Sequence, residues 1–278
     1  MNVQSGQRIA GRGSADHQFT ESLRGVALDA KGLIYAVGDS SVKVFTSDGE
    51  LARQWKTGLP GHCVAVDRAG RVWVGQYEQV EIFDAEGRLA DTWHDPERLG
   101  LVTAIAVGAE DVFLADANAR WIRRYNHEGK FLNNIGDRHR KGGFHIPNGV
   151  VDFAVDTNGF LHVANPGMHR VETYKPDGEL LGHFGRFDGR DPAGFPGCCN
   201  PTNVALDAEG RVVVSEKAGP RIKIYDPSGE FLEVLADDLF DPAAKNMDLA
   251  VDAGGRIYVA DPVALEIRVL SRRMEATP

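Results

Sequence analysis

The sequence predicts an all-β fold, a six-bladed β-propeller, from three observations. A unit recurs six times, strand-like alternation fills each unit, and the last unit lacks a piece that the other end of the chain supplies. Each unit opens with a short apolar stretch that in five cases ends in Asp. These stretches are Val26-Ala-Leu-Asp29, Val64-Ala-Val-Asp67, Ile105-Ala-Val-Gly108, Phe153-Ala-Val-Asp156, Val204-Ala-Leu-Asp207 and Leu249-Ala-Val-Asp252. Their starts lie about 38 to 51 residues apart, the length of one four-stranded blade. A turn rich in Gly, Asp and Asn follows, as in Arg68-Ala-Gly70 and Thr157-Asn-Gly159, because those residues tolerate the positive φ of tight hairpins. Second strands such as Val72-Trp-Val74 and Ile257-Tyr-Val259 come next, then third strands with period-2 alternation such as Val42-Lys-Val-Phe45. A second Gly turn, for example Ser47-Asp-Gly49, leads to the fourth strand. The sixth unit stops after Ile267-Arg-Val-Leu270 with neither that turn nor a fourth strand. Gly6-Gln-Arg-Ile-Ala-Gly11 resembles the fourth strand that starts at Gly178. Residues near Gln7–Ala10 are therefore expected to complete the last blade, leaving the ring no unpaired edge. No linker interrupts the pattern, so residues 1–278 read as one domain.

Composition narrows the function classes. A hydrophobic content of 42% suits a packed globular chain, and no apolar run reaches the roughly 18 residues of a membrane helix. The net charge of −9 repels phosphate backbones, so nucleic acid is a poor partner. The one basic run, Arg138-His139-Arg140-Lys141, reads as a solvated loop. The polar, Gly-rich start of the chain has no apolar leader core. The expectation is a cytoplasmic protein or an exported one whose leader has been removed. Cys63, Cys198 and Cys199 are too few for a disulfide framework.

The repeated order apolar-Ala-Val-Asp, turn, second strand, Arg-Ile-x-x-Tyr, Gly resembles the NHL repeat, with Asp207, Arg221-Ile222, Tyr225 and Asp261 among the matching residues. The resemblance implies a six-bladed propeller but not a single activity, because such repeats serve an amidating lyase, RNA-binding modules and scaffolds. The lyase resemblance would imply a zinc held by histidines from separate blades. Histidines precede blades two and four here, whereas Asn246 and Asp248 precede blade six. The second unit departs most, with Gly75-Gln-Tyr-Glu-Gln-Val80 carrying neither the Asp nor the Arg.

In such a blade the first strand descends along the central channel and both Gly turns lie at the bottom. The blade-to-blade connections and second-to-third loops gather on top, where long loops on a rigid scaffold place function. His62, Cys63, His145, Cys198 and Cys199 offer the N and S donors that suit zinc or copper, although no tight Cys-x-x-Cys or His-Glu-x-x-His spacing supports them. Adjacent thiols point to opposite sides of an extended chain. Cys198 and Cys199 could thus form a strained vicinal disulfide, share one metal on a bent loop, or simply pack. Asp152, Asn165, Asn200, Asn203 and Asp248 are candidate ligand contacts. Glu216, Lys217 and Arg221 form a charged triple able to clamp a carboxylate or poise a lysine as base or nucleophile, with an ordinary ion pair as the alternative. The inner-strand aspartates Asp29, Asp67, Asp156, Asp207 and Asp252 read as turn acceptors. Trp55, Trp73, Trp93 and Trp121 read as inter-blade core. Two functional readings stand open. One is a small-molecule or metal site at the channel mouth, extending to a metal-assisted lyase or hydrolase or a thiol enzyme. The other is a scaffold for a protein partner.

Overall fold

The computed structural model describes residues 3–136, 143–217 and 219–272. They form six antiparallel four-stranded sheets, each built from consecutive strands except the last. The inner strands are Gly25–Leu28, Cys63–Val66, Val102–Val107, Asp152–Val155, Asn203–Leu206 and Leu249–Val251. Each inner strand contacts that of the next blade, and Leu249–Val251 returns to Gly25–Leu28, so the ring is closed. The protein is a six-bladed β-propeller. Closure is made as the sequence predicts. Val3–Ala10 pairs antiparallel with Glu266–Arg272, from Val3 opposite Arg272 to Ala10 opposite Glu266. This outer strand begins earlier than the Gln7 boundary expected from the repeat. The basic run Arg138–Lys141 lies outside the described residues. No helix among the described residues is long and apolar enough to cross a membrane.

The core lies in wedges between neighbouring blades. Tyr35, Val37 and Val44 of blade one meet Val64, Val72 and Val74 of blade two, and the pattern repeats around the ring. The third strands alternate apolar and polar in sequence, yet in blades one, two and five both rows are buried, Lys43, Glu81 and Lys223 included. Outer-strand aromatics seal the wedges against the Gly turn of the next blade. A Cβ on Gly87 would meet the Trp55 ring at 2.5 Å, and one on Gly229 would meet Phe184 at 2.4 Å. Gly87 also holds φ at 85°, so the turn needs glycine twice over, for its conformation and for its closeness to the ring.

The bottom turns behave as the repeat predicts. Asp67 Oδ1 accepts the amide hydrogens of Ala69 and Arg71, both at 2.9 Å, while Oδ2 accepts from the Arg71 guanidinium and the Trp73 indole. Asp29, Asp156, Asp207 and Asp252 repeat the amide contacts. These carboxylates are structural.

Candidate functional site

On the top face, the residue heading an inner strand reaches across to the backbone of the next blade. Cys63 Sγ lies 3.6 Å from the Val102 carbonyl and Thr103 Oγ1 donates to the Val151 carbonyl at 2.7 Å. Asp152 Oδ2 accepts from Val204 N at 2.8 Å, and Asp248 Oδ2 from Val26 N at 2.8 Å. Blade three can use Thr103 because the strand bulges between Val102 and Ala104 and swings that side chain into line. Blade five departs from the scheme. Asn203 donates to Asp152 behind it, and its Oδ1 is buried with no hydrogen-bond partner among the described residues. Ser215 takes over the forward contact through its hydroxyl to the Met247 carbonyl at 2.9 Å.

Above these clasps is a cavity of about 410 Å³ to which every blade contributes, through Arg24, His62, Thr103, Asn148, Asn203 and Asp248 in turn, with Lys245 and Asn246 beside them. The channel below, about 450 Å³, is walled by the inner strands and shares Asp248 and Thr103 with the mouth. Asn148 Nδ2 donates to Asn246 Oδ1 at 3.0 Å across the opening, which leaves Asn148 Oδ1 a buried acceptor without a partner among the described residues. Arg24 Nη1 donates to His62 Nδ1 at 3.1 Å, so the ring keeps its own proton on Nε2. Burial and the neighbouring Arg24 charge push the His62 pKa down to about 4, which keeps the imidazole neutral near pH 7.

The two channel carboxylates behave in the opposite way. Burial pushes the Asp248 carboxyl up to about 6. Burial and then the Asp248 charge push Asp152 upward as well. Among the described residues neither pairs with a cation, and backbone amides with Asn203 are the donors that oppose burial, so the protonated form gains. A carboxyl poised near neutrality at the floor of a polar cavity can take up or release a proton.

The other candidates divide. Among the described residues no group of three or more His, Cys, Asp or Glu side chains could hold a metal ion. His62 faces Arg24, and Cys63 is buried with its thiol pushed well up by burial and the Asp248 charge. His145 stands by Gly167, away from the mouth lining. The expected five-donor zinc or copper set is therefore not assembled, because its members belong to three separate neighbourhoods. Cys198 and Cys199 lie together on a bent loop outside the mouth lining. Asn200 fixes that loop: its Nδ2 donates to the Pro196 and Lys217 carbonyls, and its Oδ1 accepts from Lys217 N at 2.9 Å.

The charged triple is arranged differently from the expectation. Glu216 is fully buried and pairs with Arg221 at 2.7 Å and with Lys223 Nζ at 2.9 Å. Lys223 is itself fully buried and donates to the Gly194 carbonyl. Lys217 is the outlier, turned to the Cys199 sulfur instead. Asp116 with Arg123 and Asp261 with Arg268 make the equivalent buried pairs in blades three and six. Asn165 occupies the same place in blade four, buried with Oδ1 unpartnered among the described residues.

No family model and no curated protein matches the chain. Similarity to solved structures is broad. A streptogramin B lyase superposes with a TM-score of 0.65 at 11% identity, over 90% of this chain and 93% of that one. Virginiamycin B lyase from Staphylococcus aureus gives 0.69 at 14% identity, over 96% and 99%. A protein of unknown function from Bacteroides thetaiotaomicron gives 0.73 at 16% identity, over 98% and 76%. At these identities the likeness establishes the propeller fold and nothing finer. Arg24, Asn148 and Lys245 were missed in the sequence. Arg24 and Asn148 sit in unremarkable connections, and only the ring closure brings them over one opening.

Proposed function

We propose that the protein binds a small polar molecule in the mouth of its channel and carries out a proton-transfer reaction on it, of lyase or hydrolase type. The observation that carries this reading is the convergence of one polar side chain from each of the six blades on a single cavity. The unpartnered oxygens of Asn148 and Asn203 support it. A buried acceptor left unmet costs about 1–3 kcal/mol, and a ligand N–H or O–H would remove that cost. In this reading Arg24 meets an anionic or carbonyl group, His62 Nε2–H donates beside it, and Asp248 exchanges the proton. Asp152 tunes Asp248 from the channel below. Glu216 and Arg221 serve as the NHL-type buried pair that holds blade five rigid, and Lys217 belongs to the thiol loop.

Streptogramin-type antibiotics, the molecules named for two of the similar structures, are suitable first probes together with a library of small carboxylates, esters and lactones. Ligands are detected by thermal shift and turnover by mass spectrometry. The expected result is a hit whose binding is lost in Arg24→Ala and whose turnover is lost in Asp248→Asn. Binding that survives in both variants would place the ligand elsewhere. The second reading is a scaffold for a protein partner. It rests on Tyr77 and Phe187, large aromatics left 50% and 64% exposed on connecting loops.

A further inference from the structure

Adjacent cysteines in an extended chain face opposite ways, and their Cα atoms are only about 3.8 Å apart. The loop here defeats the first constraint. Phe195 anchors one end in the core, Gly197 turns the chain with φ 75°, and the buried Asn200 ties Pro196 to both backbone groups of Lys217. Within this clamp the sulfurs of Cys198 and Cys199 lie 2.7 Å apart as free thiols on the same side of the loop. Their settings differ. Cys198 is exposed and Cys199 is 2% exposed. Among the described residues no His, Asp, Glu or further Cys joins them as a third metal donor, so the arrangement suits sulfur chemistry better than metal binding.

We propose that Cys198 and Cys199 form a thiol–disulfide exchange site for small disulfides, Cys198 being the attacking sulfur and Cys199 the resolving one. Cys198 attacks one sulfur of a low-molecular-weight disulfide, which breaks that S–S bond and expels one thiol. Cys199 then attacks the Cys198 sulfur of the mixed disulfide, closing the Cys198–Cys199 bond and expelling the second thiol. Two protein thiols are oxidised, one small disulfide is reduced, and both thiol protons end on the released thiols.

Electrostatics favours this division of roles. The hydrogen bond from Cys199 and the charges of Lys217 and Lys245 lower the Cys198 pKa, whereas burial and then the Cys198 sulfur raise that of Cys199. The thiolate is the nucleophile, so the exposed sulfur reacts first. A disulfide between sequence neighbours is cramped relative to the usual Cα separation, which makes it readily reversible.

The test treats the native full chain with oxidised glutathione, quenches with acid and reads intact mass and peptide alkylation. The wild type is expected to lose two hydrogens, retain no glutathione and shield both Cys198 and Cys199 from alkylation. Cys199→Ser should stop at a stable glutathione adduct on Cys198. Cys198→Ser should react at least about tenfold more slowly, because its remaining thiols are buried. A wild type that keeps the adduct, or that stays dithiol in excess oxidised glutathione, overturns the proposal without reference to any variant's folding. Equal reactivity of the two variants overturns the assignment of roles. None of these outcomes bears on ligand binding at the mouth, which is read separately.

Discussion

Asp67 and Asp248 are the same residue type at opposite ends of the channel-lining strands, and the fold treats them in opposite ways. Burial pulls both carboxyls upward. At Asp67 the amide and guanidinium of Arg71 and the indole of Trp73 outweigh it and hold the pKa below its ordinary value. At Asp248 only backbone amides oppose burial, and the carboxyl rises to about 6. Glu216 is buried as well, and Arg221 and Lys223 stand against its charge. Burial alone therefore says little about a carboxylate's role. What separates structure from chemistry in this ring is whether donors and cations have been supplied to match the charge.

The sharpest way to break this contrast is to remove a matched carboxylate. Glu216→Leu leaves Lys223 buried without its partner and should cost about 3–5 kcal/mol in urea unfolding. An unchanged midpoint would show that Lys223 has found water. Asp67→Ala strips a hairpin of its acceptor and should cost about 2 kcal/mol at pH 7. Because the folded pKa of Asp67 lies below its unfolded value, that contribution is present above about pH 4 and fades as pH falls through the folded pKa. The gap between wild type and variant should accordingly close in acid.

Asp248→Asn tests the unmatched side. The amide oxygen still accepts from Val26 N, but the charge is gone. The folded pKa of Asp248 is raised, so ionising it costs stability as pH rises from about 4 toward 6. The variant should therefore be about 2–3 kcal/mol more stable than wild type at pH 7.5 and indistinguishable below about pH 4, by thermal melts across that range. A destabilised variant at pH 7.5 would mean that the carboxylate is matched after all. At neutral pH the smallest effect belongs to His62. Its folded pKa is lowered from 6.5 to about 4, so its contribution is present above 6.5 and drains away as pH falls through that window. His62→Gln should flatten the fall of the melting temperature between those limits and leave the neutral-pH value nearly unchanged.

The fold was legible because each blade repeats its turn chemistry. Asp followed by a Gly at positive φ, then an apolar second strand, announces a hairpin wherever it occurs, and a short last unit announces where the chain must close. The top face was legible as a region for the same reason, since whatever is not repeated falls there. Its internal arrangement was not. Lys223 is the polar position of an alternating third strand, yet it is fully buried and pairs with Glu216, where the sequence pointed to Lys217. The Cys198–Cys199 pair stood out as unusual, but the bend that brings the sulfurs together depends on Asn200 bonding to Lys217, a contact over 17 positions. Asn148 and Asn246 meet across 98 positions, a distance that no local pattern reports.

The pairing of Val3–Ala10 with Glu266–Arg272 has a consequence for biosynthesis. Val3–Ala10 is made before its partner and waits for it, because Glu266–Arg272 emerges only after all five intervening blades have been made. Five sheets can zip up in order while this segment waits with its backbone groups open. The final step then joins two segments more than two hundred residues apart in sequence and converts an arc into a circle. Translational pausing or truncation ahead of Glu266 would leave Val3–Ala10 and Ile257–Asp261 each without its strand partner, and such open edges invite pairing with a neighbouring copy.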